Sequence, residues 1–303
     1  VAEKMEDMRR NHDWLRTCIM QQPRGFLSLV GAILTEPCSP EADYGVFYID
    51  ALTYQPMCGA GTLSVAKALV ETGMVKRVEP ETKIVLETPT GLVAVYVKWE
   101  NHMVASINLE NVPAFLYRKD LHIDLAGYGD VSVDIGYGGN FFVLADVHSL
   151  GLTITKDTVN LLRSLSKDIL AAANKVIKVA HPTNPAINYL DQVLFCQNVP
   201  EEDGGYLAQC IFGDAQADIS PCGTGTSTRL AQRYFRGLIG LEETFVQKSV
   251  CGGAFHAKGL RETTLGGVPA IVPYVSCSDV HITGFNHLIV EENDKLKNGF
   301  VSW

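Results

Sequence analysis

A five-residue phrase occurs twice in this chain of 303 residues, as Cys58-Gly59-Ala60-Gly61-Thr62 and as Cys222-Gly223-Thr224-Gly225-Thr226, 164 positions apart. Each copy follows a lead-in hostile to helix and opens into a run with helical periodicity. The repeat therefore predicts two helices that each begin on a cysteine. In both halves strands precede the phrase, a buried helix follows it, and strands resume. That order describes one internal duplication at long period, not a solenoid, and two similar α/β halves satisfy it.

The segments around the two phrases fit this plan. Residues 3–20 carry Met5, Met8, Trp14, Leu15 and Ile19 at helical spacing, which predicts one helix with those side chains buried. Short apolar runs at 27–34 and 45–49 read as strands. The stretch 62–71 is apolar nearly all round, as in a helix buried on most sides, with Gly73 as its C-terminal cap. Alternation at 83–86, 92–97, 103–107 and through 120–147 predicts further strands. A long amphipathic helix is expected over 157–179, with Leu161, Leu162, Leu165, Ile169, Leu170 and Ala173 as its stripe. Strands are expected again at 193–195, 208–212, 270–275 and 287–290, and Leu230, Ala231, Tyr234 and Phe235 mark the helix after Thr226. Cys251-Gly252-Gly253 resembles a third phrase, but no comparable helix follows, so it reads as a turn.

A cysteine at a helix start meets unpaired backbone N–H groups and the positive end of the helix dipole, both of which stabilise a thiolate. Glycines in the same turn let those amides approach an anion closely. The amides of Gly59 and Ala60 in one copy, and of Gly223 and Thr224 in the other, are thus candidates to hold a carboxylate. They would also stabilise the charge that develops when the adjacent carbon loses a proton. Asp218, four residues before Cys222, could bind an ammonium. Two thiols on opposite faces of such a ligand describe an amino-acid racemase or epimerase. Cys18, Cys38, Cys196, Cys210, Cys251 and Cys277 read as buried small apolar side chains, and no histidine is assigned to catalysis.

Composition narrows the class. The net charge of −9 gives no general attraction for phosphate backbones, so nucleic acid is not an expected partner. No apolar run approaches the roughly 18 residues of a membrane span, and no membrane partner is expected. Eight scattered cysteines without metal-ligand spacing fit reduced thiols in a cytoplasmic enzyme. Neither a metal nor pyridoxal phosphate nor any other cofactor is implied. The chain opens on Val1, which leads to the expectation of a preceding segment.

Met57-Cys58-Gly59-Ala60-Gly61-Thr62 and Asp218-Ile219-Ser220-Pro221-Cys222-Gly223-Thr224-Gly225-Thr226 resemble the two signature motifs of the proline racemase family, which also includes 4-hydroxyproline 2-epimerases and trans-3-hydroxyproline dehydratases. Pro23-Arg24-Gly25, Tyr137-Gly138-Gly139-Asn140-Phe141 and Gly299-Phe300 resemble further family stretches. The resemblance implies a fold similar to diaminopimelate epimerase: α/β, with two pseudo-symmetric domains, each a β-barrel-like sheet around a central helix. The expected division is 1–112 plus 270–303 for the domain carrying Cys58, and 113–269 for the domain carrying Cys222. A homodimer is also implied. Cys58 and Cys222 become the acid/base pair, with Asp218 at the substrate nitrogen.

The dehydratases of the family carry threonine where this chain has Cys222, so inversion is favoured over dehydration. By the same resemblance Phe212, Val30 and Gln55 occupy the ring pocket. Phe212 favours proline, and Gln55 could hydrogen-bond the hydroxyl of 4-hydroxyproline. Ala60 stands where the family usually has histidine, Ile219 where it has arginine, and Gln22 replaces an acid. The opening His-Thr-x-Gly-Glu-Pro stretch is absent. The departures at Ala60 and Ile219 motivate an alternative, a catalytically impaired or non-catalytic amino-acid-binding relative. A thiol–disulfide protein using Cys58 and Cys222 is a third reading.

Overall fold

The computed structural model describes residues 1–199 and 205–301. The chain divides into two compact units, residues 1–107 with 280–303 and residues 108–279. The sequence expectation put these divisions at 112/113 and 269/270. The later boundary at 279/280 follows from a final strand that pairs along its length within the second unit.

The first unit opens with α1 (Ala2–Asn11) and α2 (Asp13–Met20). One continuous helix was expected here. The helical path breaks at His12 (φ −136°), and the buried stripe loses its phase at that point. Met8 is buried and Met5 and Ile19 pack on the same cluster with Val1, Met20, Phe47 and Ile49. Trp14 and Leu15, expected inside, are exposed instead, because α2 turns Arg16, Cys18 and Met20 inward.

The chain continues through β1 (Val30–Thr35), β2 (Tyr44–Asp50), β3 (Tyr54–Gln55), α3 (Gly59–Glu71), β4 (Glu81–Thr88), β5 (Gly91–Glu100) and β6 (Met103–Glu110), which crosses the unit boundary. Their order in the sheet is β1-β2-β4-β5-β6, with β3 paired to β2. β2 is buried on both faces, and its sequence is apolar up to the buried Asp50, whereas β4 alternates buried and exposed residues. α3 touches β1 and β5, strands from opposite sides of that order, so the sheet curves around the helix. Gly73 (φ +74°) follows the last turn of α3, where a left-handed residue ends a helix.

The second unit contains β7 (Phe115–Leu125), β8 (Gly129–Tyr137), β9 (Phe141–Asp146), α4 (Val159–Val176), β10 (Gln192–Asn198), β11 (Gly205–Phe212), β12 (Gln216–Ala217), α5 (Gly223–Phe235), β13 (Phe245–Lys248), β14 (Ala254–Leu265) and β15 (Val268–Cys277). Its sheet runs β15-β14-β13-β11-β10-β9-β8-β7. α5 packs against β14 and β15 at one end of this order and against β7 and β8 at the other. A bridge between Ala114 and Ile271 joins the two ends, so the sheet closes around α5 as a barrel. α4 lies outside, burying Leu162, Leu165, Ile169 and Ala173; Leu161, expected in that stripe, is exposed.

Each unit is thus α/β, with a curved sheet around one helix. Four of the six cysteines outside the two phrases are buried, but Cys38 and Cys251 are exposed, contrary to their reading as interior residues. The expected strand at 287–290 is also absent. Those residues are exposed, and the backbone there is held by Arg24 rather than by a neighbouring strand.

Candidate active site

In the first unit, Cys58 is the N-cap of α3, and its Sγ accepts the Gly61 N–H at 3.3 Å. The turn has no room for a side chain at Gly61, where a Cβ would stand 2.9 Å from the Tyr48 ring and 3.3 Å from the Cys58 sulfur. Thr62 fixes the same turn by donating its N–H and its hydroxyl to the Cys58 carbonyl, at 2.9 and 2.8 Å. The buried Tyr48 hydroxyl pairs with the Thr62 hydroxyl, and burial pushes its ionisation far above the ordinary phenol range. Cys58 and Ala60 are half-buried and Gly59 is buried.

Asp50 organises the approach to this turn and was not singled out in the sequence. Its Oδ1 accepts the N–H groups of Leu52 and Thr53 at 2.7 and 2.8 Å, and its Oδ2 accepts from the Gln55 amide at 2.9 Å. Val30 is the register partner of Asp50 on β1. Two of the three expected pocket residues are therefore neighbours of Asp50, Gln55 through its carboxylate and Val30 as its partner in the adjacent strand. Arg16, paired with Asp13 at 2.7 Å, donates to the carbonyls of Asp50 and Ala51 at 3.1 and 2.6 Å and holds this corner in place.

The second unit repeats the cap. Cys222 is the N-cap of α5, and its Sγ accepts the Gly225 N–H, again at 3.3 Å. Its backbone is unusual for a residue with a side chain, at φ +65° and ψ +103°. A chain of contacts holds that conformation. Cys222 N–H donates to Ser220 Oγ at 3.0 Å, and Ser220 N–H donates to Asp218 Oδ1 at 2.8 Å. Gln247 donates to the Pro221 carbonyl at 2.8 Å, and Ser249 donates to the Ile219 carbonyl at 2.9 Å. At the far end of α5, Arg236 pairs with the buried Asp134 of β8 at 2.7 Å and Gln232 donates to the same carboxylate. These donors outweigh burial and keep the Asp134 carboxyl below its usual range.

Asp218 is half-buried by area, yet its carboxyl is enclosed enough for desolvation to dominate. Burial raises its ionisation above the ordinary value, offset in part by donors from Ser220 and by the Cys222 thiol. Gly223 and Thr224 are buried in the first turn of α5. Phe212 is buried at the end of β11, two residues from Cys210 and so on the same strand face.

Cys210 is the residue that sequence reasoning missed. Its Sγ, an Asp218 carboxylate oxygen and the Cys222 Sγ all lie within 4.8 Å of one another. Sequence spacing gives no sign of this cluster, because the hairpin from β11 to β12 creates it. The expected site residues thus form two groups: Cys58, Gly59, Ala60, Val30 and Gln55 in the first unit, and Cys222, Gly223, Thr224, Asp218 and Phe212 in the second. Among the described residues, no helix is long and apolar enough to cross a membrane.

Each unit thus carries a cysteine as the N-cap of a 13-residue helix, so the repeated phrase holds the same structural place in both. The proline racemase family model matches residues 1–301. The chain belongs to the proline racemase family. It is 38% identical over 301 residues to a proline racemase of Clostridioides difficile, covering 99% of this chain and 90% of that protein. It is 36% identical over 302 residues to a trans-3-hydroxy-L-proline dehydratase of Azospirillum brasilense, with the same coverage of 99% and 90%. Among solved structures it is similar to a hydroxyproline epimerase of Agrobacterium vitis with bound trans-4-hydroxy-L-proline, at 29% identity and a TM-score of 0.93, covering 100% of this chain and 87% of the other. Relatives in this family thus include racemases, epimerases and dehydratases.

Proposed function

We propose that this chain is a cofactor-independent racemase or epimerase that inverts the α-carbon of proline or of a hydroxyproline. The observation that carries the reading is the matched pair of caps, in which each cysteine sulfur accepts the amide three residues on at 3.3 Å. One of Cys58 and Cys222 acts as a thiolate and removes the α-proton. The other acts as a thiol and delivers a proton to the opposite face. The roles exchange with the handedness of the substrate, so activity requires the pair to hold one proton.

The remaining groups follow from charge. The Asp218 carboxylate receives the substrate ammonium, which compensates a charge that burial alone disfavours. The amides of Gly59, Ala60, Gly223 and Thr224 receive the substrate carboxylate. On deprotonation, negative charge spreads from the α-carbon into that carboxylate, where fixed amide dipoles stabilise it. Phe212 and Val30 supply apolar surface for the ring. The retention of Cys222 supports inversion over dehydration. The same reading includes a cytoplasmic homodimer, checked by light scattering on the purified protein.

The test is solvent deuterium exchange into L-proline and trans-4-hydroxy-L-proline, read by proton NMR and chiral analysis. Exchange with inversion is expected for at least one. In Cys222→Ser, which keeps a capping oxygen, inversion should fall by about a thousandfold or more with the fold unchanged. Substantial inversion by that variant would overturn the two-thiol mechanism.

A further inference from the structure

Cys210 has no part in the chemistry above. It is 2% exposed, and Cys222 is 6% exposed, so both sulfurs lie inside the second unit. The backbone fixes their approach. The Cys210 carbonyl accepts the Asp218 N–H at 3.0 Å and the Gln209 side-chain amide at 3.0 Å, and Gln209 also donates to the Asp218 carbonyl at 2.8 Å. The segment that leads to Cys222 is thereby tied to the strand that carries Cys210. The three donor atoms of Cys210, Asp218 and Cys222 fall within 4.8 Å of one another as a result. A second thiol at this distance from a reactive one is a group positioned to capture an oxidised sulfur.

We propose that Cys210 is the resolving thiol of Cys222, and that hydrogen peroxide converts the two into a reversible intramolecular disulfide. The Cys222 thiolate attacks the distal peroxide oxygen, breaking the O–O bond. An S–O bond forms, and hydroxide leaves and takes a proton to become water. Cys222 is then a sulfenic acid. The Cys210 sulfur attacks the Cys222 sulfur, the S–O bond breaks, and the Cys210 proton leaves with the hydroxide as a second water. Two thiols have lost two electrons to one peroxide, whose two oxygens leave as water.

An S–S bond is about 2.05 Å long, so the sulfurs must close by up to roughly 2.7 Å. Rotation of the two Cα–Cβ bonds between staggered wells supplies motion of that order. The bond takes the Cys222 sulfur away from the Gly225 amide, which it caps in the reduced state, so reduction restores a native contact. The same three donors have the spacing to bracket a thiophilic metal. The disulfide is favoured because the Asp218 carboxylate already accepts the Ser220 N–H at 2.8 Å and also the Cys222 thiol.

The test needs no catalytic activity, so its failure is separable from failure of the racemase reading. The full chain is treated with hydrogen peroxide, with and without a chelator, and remaining thiols are then alkylated. Digestion before aspartate residues, at Asp214 and Asp218, separates Cys210 from Cys222, and the peptides are read by mass spectrometry. The expected product is a Cys210–Cys222 linked pair lighter by two hydrogens, released by dithiothreitol. Cys210→Ala and Cys210→Val should instead accumulate sulfinate on Cys222 that dithiothreitol does not reverse.

Sulfinate on wild-type Cys222 without the link would overturn the proposal, as would a link from Cys222 to any other cysteine. Protection of both thiols that vanishes on chelation would overturn it in favour of a bound metal. Where racemisation is measured alongside, dithiothreitol should restore most of it in the wild type and little of it in either variant.

Discussion

Gly138 lies so close to the start of α5 that a Cβ on it would stand 2.6 Å from the carbonyl oxygen of Thr224. The same Cβ would stand 2.6 Å from the Thr228 amide nitrogen, so backbone, not a pliable side chain, blocks it. The Gly138 carbonyl accepts from Asn111 at 3.1 Å, and Asn111 donates on to Ser227 of α5 at 2.9 Å. The helix that carries Cys222 is therefore seated directly on the Gly138 backbone. Gly138→Ala should destabilise the protein by about 1–3 kcal/mol, as overpacking does. It should also shift the first turn of α5. Thermal denaturation measures the first effect. Loss of inversion in the still-folded variant below its melting transition measures the second.

Asp218 gives a pH prediction with a definite sign. Burial raises its ionisation above the ordinary value of 3.8, so the folded state holds its proton more tightly than the unfolded state does. Its contribution to stability is full below 3.8 and is lost as pH rises through the higher folded value. Asp218→Asn removes that loss and can still accept the Ser220 amide. The melting temperature of the variant minus that of the wild type should therefore be near zero in acid and positive at neutral pH. Binding should move the other way. Loss of a charge-assisted bond to the substrate ammonium is worth about 10- to 100-fold in kcat/KM. A variant that is less stable than the wild type at neutral pH would contradict the assignment.

The distribution of what was legible in the chain follows from range. The cysteine caps could be read because a cap is local: cysteine, two glycines and an apolar helix within a few residues determine it. The strands at β4, β5 and β10 were legible through period-two alternation or compact apolar runs. Trp14 and Leu15 were misplaced because one backbone break at His12 shifts every later residue around the helix, and spacing carries no sign of it. The 287–290 run was misread because apolar alternation does not guarantee a neighbouring strand. Asp50 and Cys210 became visible only in three dimensions. Asp50 acts through the corner between β2 and β3, and Cys210 through a hairpin, so neither belongs to a motif.

The two outer family stretches turn out to bind each other within the first unit. Gln22 and Phe300 exchange backbone hydrogen bonds at 3.0 Å in each direction. Arg24 pairs with Asp294 at 2.6 Å and donates to the Ile289 carbonyl at 3.2 Å. Gly299 (φ +82°) fits because a Cβ there would stand 2.2 Å from the Thr17 carbonyl oxygen. Arg24→Ala should thus free residues 280–301 without disturbing either helix cap. Limited proteolysis should cut this segment several-fold faster in the variant, at sites absent from the wild-type digest. Unchanged cleavage would mean that the Gln22–Phe300 bridge suffices.

Gln55 separates a structural role from a role in substrate choice. Its amide donates to Asp50 Oδ2 at 2.9 Å, and a fully buried carboxylate with two backbone donors on its other oxygen is a rigid partner. That bond orients the side chain and fixes the direction of its carbonyl oxygen, as an acceptor for a ring hydroxyl must be fixed. Gln55→Leu should lower kcat/KM for trans-4-hydroxy-L-proline relative to L-proline by about tenfold, the worth of one neutral hydrogen bond. It should also cost about 1–3 kcal/mol of stability by removing a donor from Asp50. Asp50→Asn retains the volume but gives Gln55 a choice of partners, so it should blunt the same preference while leaving proline turnover closer to wild type. If instead both substrates lose activity by the same factor in Gln55→Leu, then Gln55 serves the corner that carries Cys58 and does not read the ring.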